Sequence, residues 1–230
     1  MKATRETVLA IIPACSEERF IGEVVRRVLE YVGRVIVIDD GSPDETAMVA
    51  EAAGAQVIRH PINRGKGAAI KSGLKHASAS EAQFFLFLDG DGQHDPADIP
   101  VFLRAMNESG ADFIVGNRMT NLAAMPVIRR LTNKFMSWQI GAICKVPLPD
   151  SQCGFRLVRR ELLQILNAPS EHFEFETESL VLAARQGFRI ESVPIRTIYT
   201  SQRSKIRVLR DTIRYVRLIT KFARSATRKH

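Results

Sequence analysis

Residues 84–96 read Phe-Phe-Leu-Phe-Leu-Asp-Gly-Asp-Gly-Gln-His-Asp-Pro. Five apolar residues that stop at turn residues form a short buried strand. Asp89 and Asp91 follow it, one residue apart. Two carboxylates there offer hard oxygen ligands to a divalent cation, and Gly90 and Gly92 let the backbone fold tightly around it. Mg2+ or Mn2+ suits such ligands and typically bridges to substrate phosphates. Taken alone, the motif reads equally well as a solvated Asp-Gly turn, so the other motifs must decide.

Val37-Ile38-Asp39-Asp40-Gly41-Ser42-Pro43-Asp44 also ends a strand in carboxylates. Asp39 and Asp40 can accept hydrogen bonds from ribose hydroxyls or a base N–H. Ser42 and Asp44 suit capping of the next helix, with Pro43 near its first turn. Asn63-Arg64-Gly65-Lys66-Gly67 opens a helix, where glycines allow close approach of an anion and Lys66 adds a point charge. It has neither the GxxxxGK[ST] nor the GxGxxG spacing, and the first strand-to-helix turn, Pro13-Ala14-Cys15-Ser16, lacks a glycine fingerprint. A dinucleotide dehydrogenase is therefore not expected. Further on lie Gly116-Asn117-Arg118, the stretch Asp150–Arg156, and Phe173–Glu178, where Glu174, Glu176 and Glu178 alternate with other residues. Those acids suit either a helix dipole or chemistry. His94, His172 and Trp138 carry no spacing signal and read as structural.

The elements that must position these residues alternate. Strands are expected at Val8–Ile12, Arg34–Ile38, Ala55–Arg59, Phe84–Leu88 and Asp112–Val115, with helices at about 17–31, 44–53, 66–78 and 96–108. This rhythm argues for an α/β fold with a mostly parallel sheet covered on both faces. Ligands of such sheets bind beyond the carboxyl ends of the strands, which is where the polar loops fall. Helices at 125–143, 158–166 and 175–186, a strand at 189–200 and a final helix from about 206 complete the expectation. One domain of 230 residues is expected, with a nucleotide half (about 1–118) and an acceptor half (about 119–205).

Cys15, Cys144 and Cys153 show no CxxC spacing and fit reduced thiols. No apolar run reaches the roughly 18 residues that span a bilayer, and no signal peptide is evident, so a cytoplasmic protein is expected. The net charge of +8 is concentrated: residues 201–230 hold ten Lys or Arg against Asp211, leaving residues 1–200 near neutrality. The body of the chain therefore has no general affinity for nucleic acid. Arg207, Arg210, Arg214, Arg217, Lys221, Arg224 and Arg228 alternate by three and four residues, with Leu209, Ile213, Val216, Ile219 and Phe222 opposite. Such a helix (about 206–228) either packs its apolar face on the domain or lies on an anionic membrane.

In their order along the chain, these segments resemble glycosyltransferase family 2, the GT-A fold, and within it the branch that makes polyprenyl-phosphate sugars. The segments are Ile12-Pro13…Glu17, Asp39-Asp40…Asp44, Asn63…Gly67, Asp89-Gly90-Asp91 with Gln93, Gly116-Asn117-Arg118, Gly154-Phe155-Arg156, Glu176…Glu178, Val193-Pro194-Ile195 and Ser204-Lys205. The resemblance implies that Pro13, Glu17, Asp39 and Asp40 hold the nucleoside of a GDP- or UDP-sugar. It places Asp89, Gly90, Asp91, Lys66 and the metal, with Gln93, at the diphosphate. Arg118, Arg156, Ser204 and Lys205 would surround the donor diphosphate and the phosphate of a polyprenyl acceptor. With a hydroxyl acceptor instead, Glu176 or Glu178 would be the general base. Family members often carry transmembrane helices after the catalytic domain; here a membrane partner protein is the expected substitute, and a homo-oligomer is a further expected partner.

Overall fold

Val8–Ala14 (β1), Val-Leu-Ala-Ile-Ile-Pro-Ala, is buried at every position. A strand with no polar face must lie inside a sheet covered on both sides. It pairs in parallel with Arg34–Asp39 (β2) on one side. Beyond β2 lies Gln56–Arg59 (β3), also parallel. On its other side β1 pairs in parallel with Phe84–Phe87 (β4). The remaining strands are Phe113–Asn117 (β5), Arg156–Arg159 (β6) and Ile190–Pro194 (β7). The order across the sheet is β3-β2-β1-β4-β6-β5-β7. Among the described strands only β6 runs against its neighbours, antiparallel to β4 and β5.

This computed structural model describes residues 1–120, 125, 127–166, 174–198, 215, 218–220 and 222. Its helices are Ile21–Leu29 (α1), Thr46–Ala52 (α2), Lys66–Ser78 (α3), Ile99–Ser109 (α4), Val127–Cys144 (α5), Leu163–Leu166 (α6) and Glu174–Arg185 (α7). In α1 the buried residues Ile21, Val24, Val25 and Val28 recur at helical spacing and form one apolar stripe. Helix α4 follows a short 3-10 turn in which Asp95 accepts the Ala97 N–H, and it ends at Gly110 in the left-handed region. The largest fully buried side chains include Phe84, Phe85, Phe102, Phe113 and Phe155, and the Phe102 and Phe155 rings stack 4.4 Å apart.

Three departures from the sequence expectation bear on the site. Helix α1 begins at Ile21 rather than near 17, because the Glu17 N–H is donated to Thr46 Oγ1 and residues 17–20 form a turn. The expected helix at 158–166 is preceded by β6, since Arg156–Arg159 completes the ladder between β4 and β5 and helical residues start only at Arg160. The last strand ends at Pro194. The expected helix from about 206 lies mostly outside the described residues. Its described members Tyr215, Leu218, Ile219 and Phe222 pack on the core, with Leu218 and Phe222 buried.

Candidate active site

The register brings the loops to one rim. Ala14 is level with Asp39 across β1 and β2, and Asp89–Asp91 continues β4 past its last paired residue, Phe87. Gly90 lies against Ala14 and Ile21. Because β6 enters the sheet from this end, with Arg156 opposite both Phe87 and Val115, the preceding loop 150–155 is laid onto the same rim.

At the centre is a partly exposed cation between two carboxylates. Lys66 Nζ, from the first residue of α3, lies 2.6 Å from Asp89 Oδ1 and 2.7 Å from Glu176 Oε1. Burial alone would weaken the hold of Lys66 on its proton, but the Asp89 and Glu176 charges outweigh it and keep the ammonium above its ordinary range. Asp89 is driven the other way: burial favours its neutral form, yet Lys66 and then His94 hold it well below the usual carboxylate range. His94 Nε2 stands 3.7 Å from Asp89 Oδ2, in a ring packed on Phe155. Glu176 Oε2 is buried without a hydrogen-bond partner. Gly154 covers this cluster, and a Cβ built on it would stand 3.0 Å from both Asp89 Oδ2 and Lys66 Nζ.

Asp91 sits beside this cluster with its own proton affinity raised, by burial first and by the Asp89 charge second, offset in part by the Gln93 N–H that its Oδ1 accepts at 3.0 Å. A carboxylate pushed toward neutrality by a neighbouring carboxylate is a place where a hard cation relieves repulsion, so Asp89 and Asp91 fit Mg2+ or Mn2+. Among the described residues no three His, Cys, Asp or Glu are arranged to hold an ion unaided. The pair fits an ion completed by substrate phosphate oxygens.

On the β1–β2 side, Asp39 is fully buried. Its Oδ1 accepts the Ser42 N–H, while Oδ2 lies 3.2 Å from Arg59 Nε without hydrogen-bond alignment. Asp40 is engaged within the chain. Its Oδ1 meets His60 Nδ1 at 2.7 Å and the Arg64 N–H at 2.9 Å, and its Oδ2 accepts the Gly65 N–H at 2.7 Å. Both oxygens thus anchor the loop that delivers Lys66. Gly41, at φ +69°, lets this loop pass, since a Cβ there would meet backbone of Ile62 and Asn63 at 2.5 Å. Pro13 and Glu17 are buried on the rim. Asp44 caps locally, accepting the Thr46 N–H ahead of α2.

On the β5–β6 side Arg118 is buried and paired in a fork, Nε to Asp150 Oδ2 at 2.7 Å and Nη2 to Asp150 Oδ1 at 3.0 Å. Burial would raise the Asp150 carboxyl, but the Arg118 hydrogen bonds and charge hold it below its ordinary range. The sequence singled out Arg118 and gave Asp150 no role. Only its place at the head of Asp150–Arg156 could have suggested one. Arg156 is likewise engaged within the chain. Its guanidinium is buried and donates to the carbonyls of Cys153, Glu176 and Ser151 and to Ser179 Oγ. It clamps the 150–155 loop to the start of α7, which carries Glu176 and the buried Glu178. Burial pushes the Cys153 thiol up to about 12, so it stays protonated. Ser204 and Lys205 lie outside the described residues. The chain leading to them runs along the acidic loop, with Thr197 bridged to His94 and the Ile198 N–H donated to Gln93 O at 2.9 Å.

The glycosyl transferase family 2 model matches residues 9–166, a span from β1 through α6 that includes Asp89, Asp91, Arg118 and Arg156. The chain belongs to this family. It is a glycosyltransferase of GT-A fold. An uncharacterised protein of Methanocaldococcus jannaschii is 33% identical over 205 residues, covering 85% of this chain and 83% of the relative. The UDP-N-acetylglucosamine–dolichyl-phosphate N-acetylglucosaminyltransferase of Methanococcus voltae is 29% identical over 216 residues, covering 84% and 86%. Among solved structures, glucosyl-3-phosphoglycerate synthase of Mycobacterium tuberculosis, in complex with Mn2+, UDP and phosphoglyceric acid, superposes with a TM-score of 0.69. It is 19% identical, with 95% of this chain and 78% of that one covered, a likeness of fold. No helix among the described residues of this family 2 enzyme is long and apolar enough to cross a membrane.

Proposed function

We propose that the enzyme moves a hexose, with inversion, from a GDP- or UDP-sugar to the phosphate of a polyprenyl carrier such as dolichyl or undecaprenyl phosphate, using Mg2+ or Mn2+. The observation that carries this reading is the Asp89–Asp91 pair at the strand rim, held against Lys66 and next to the Arg118–Asp150 fork. Two relatives whose names describe dolichyl-phosphate glycosyltransferases, from Methanococcus voltae and Trichomonas vaginalis, support the lipid acceptor.

In this reading Pro13, Glu17 and Asp39 face the nucleoside. Asp89 and Asp91 hold the metal, which when bound offsets charge on the leaving diphosphate. Lys66 keeps Asp89 ionised for that task. A phosphate acceptor is anionic at neutral pH and needs little base assistance. What it needs is orientation in line with the anomeric carbon, assigned to Arg118, Ser204 and Lys205. Asp40 and Arg156 act as positioning residues, one for the loop before α3 and one for the loop before β6. A hydroxyl acceptor is the second reading, and the buried, unpaired Glu176 Oε2 favours it by offering a proton acceptor beside the donor site.

A panel of GDP- and UDP-sugars, with Mn2+, Mg2+ or chelator and with or without undecaprenyl phosphate, tests both. Transfer that requires metal and prenyl phosphate is expected. Donor turnover that ignores prenyl phosphate and stops in Glu176→Gln would replace the first reading with the second, and turnover undiminished in chelator would remove the metal from it.

A further inference from the structure

Helix α5 has two unlike faces. Asn133, Ser137, Ile140 and Cys144, spaced by four, three and four residues, are buried against the domain. On the opposite face Ile128, Leu131, Phe135 and Trp138, spaced by three, four and three, are 81%, 58%, 58% and 69% exposed. The Phe135 and Trp138 rings lie 6.2 Å apart, so the face ends in an aromatic ridge. The outward side of a surface helix is ordinarily polar, and large contiguous apolar side chains in water mark a binding surface.

We propose that this face inserts into the interfacial layer of an anionic bilayer and seats the enzyme on the membrane, an inference that rests on the lipid acceptor proposed above. Charge selects lipid over protein. The sequence has no Asp or Glu from Phe113 to Pro149, while the exposed Lys134 and Lys145 flank the apolar residues. A second copy docked by the same face would bring these cations against their own counterparts, with no acid on α5 to neutralise them. An anionic headgroup layer supplies the missing charge, and Trp and Phe settle at the boundary between headgroups and acyl chains. The seat is coupled to the site. Helix α5 spans the chain between Arg118 and Asp150, which pair with each other, and its Ser137 Oγ accepts the Ser151 N–H at 2.8 Å. Docking by the outward face of α5 therefore holds the enzyme by the helix whose inward face packs on the loop that carries Asp150.

Trp138 is the single tryptophan of the chain, so its fluorescence reports on this face alone. Vesicles of phosphatidylcholine with phosphatidylglycerol are expected to shift its emission to the blue and shield it from iodide, and brominated acyl chains to quench it. Each of Lys134 and Lys145 changed to Gln is expected to weaken vesicle binding about fivefold. Leu131→Ser with Phe135→Ser, keeping the probe, is expected to weaken it roughly tenfold or more. That variant should keep the melting temperature and the transfer to a short prenyl phosphate in detergent. Trp138 that stays open to iodide while the protein sediments with vesicles would overturn the proposal, as would no sedimentation at all. Shielding of Trp138 that grows with protein concentration in the absence of vesicles would overturn it in favour of a protein interface. If Trp138 inserts but no prenyl phosphate accepts sugar, the docking stands and the acceptor reading fails.

Discussion

Lys66 Nζ is shared by carboxylates that reach it from the end of β4 and the start of α7, so removing it leaves Asp89 and Glu176 without their cation. Lys66 and Asp89 keep 18% and 28% of their side-chain exposure, so the cost falls below the about 3–5 kcal/mol of breaking a fully buried pair. Lys66→Met is expected to unfold at markedly lower temperature, and Glu176→Gln in the same chain to restore part of the loss, since the two changes share one interaction. Additive losses in thermal melts would show that the two residues are not coupled. Asp91 makes the opposite case. Its carboxyl pKa is raised, by burial and then by Asp89. Its protonated form therefore contributes stability that is present below the pKa of an unfolded aspartate and lost as pH rises through the raised folded value. At neutral pH the ionised side chain opposes folding until a cation arrives. Asp91→Asn is thus expected to raise the melting temperature in chelator, to flatten its dependence on pH in the acid range, and to abolish stabilisation by Mn2+. A lower melting temperature in chelator would refute the account of Asp91 as a strained, cation-seeking carboxylate.

Among the elements, the antiparallel β6 does most to assemble the site, because it turns the 150–155 loop over the acids. Gly154 lies in that loop, and a Cβ would stand 3.0 Å from Asp89 Oδ2 and Lys66 Nζ. Gly154→Ala is expected to part this pair and weaken UDP or GDP binding with Mn2+ at least tenfold, about 1.4 kcal/mol, with little change in melting temperature. Unchanged affinity by calorimetric titration would show that the loop yields instead. The parallel half was legible in the sequence because its strands are uninterrupted apolar runs closed by turn residues, as in Phe84–Phe87 before Asp89. Strand β6 was not, because Arg-Leu-Val-Arg is four residues long and merges with the helical pattern that follows. The candidate site residues stand out in the sequence by type and by their places after strands. Their pairings were not, since spacing along the chain does not tell that Arg156 turns inward to backbone carbonyls or that Asp40 faces the loop of Arg64 and Gly65. The outward face of α5 was missed for a related reason: a lone Trp138 has no period until its neighbours are known to point the same way.

At the scale of the whole molecule, the basic C-terminal stretch has a share in the fold that its charge conceals. Leu218 and Phe222, four residues apart, are buried in the core. Tyr215 donates its hydroxyl to Gln139 Oε1 of α5 at 3.0 Å, and Arg185 of α7 donates to the Phe222 carbonyl at 2.8 Å while lying over its ring. These contacts tie the stretch to the helix that begins after Arg118 and to the helix that carries Glu176. A stretch serving only as a membrane tether would leave the fold indifferent to its loss. Truncating a buried Phe to Ala typically costs about 3–5 kcal/mol, which in a chain of this size lowers the melting temperature on the order of 10 °C. Phe222→Ala is therefore expected to melt well below the parent chain with no membrane present. Arg224→Gln and Arg228→Gln, chosen from the basic stripe, are expected to leave the melting temperature in place and to weaken only the binding of anionic vesicles. Differential scanning calorimetry in vesicle-free buffer separates the two roles, and a Phe222→Ala melt that coincides with the parent's would return the whole stretch to the membrane.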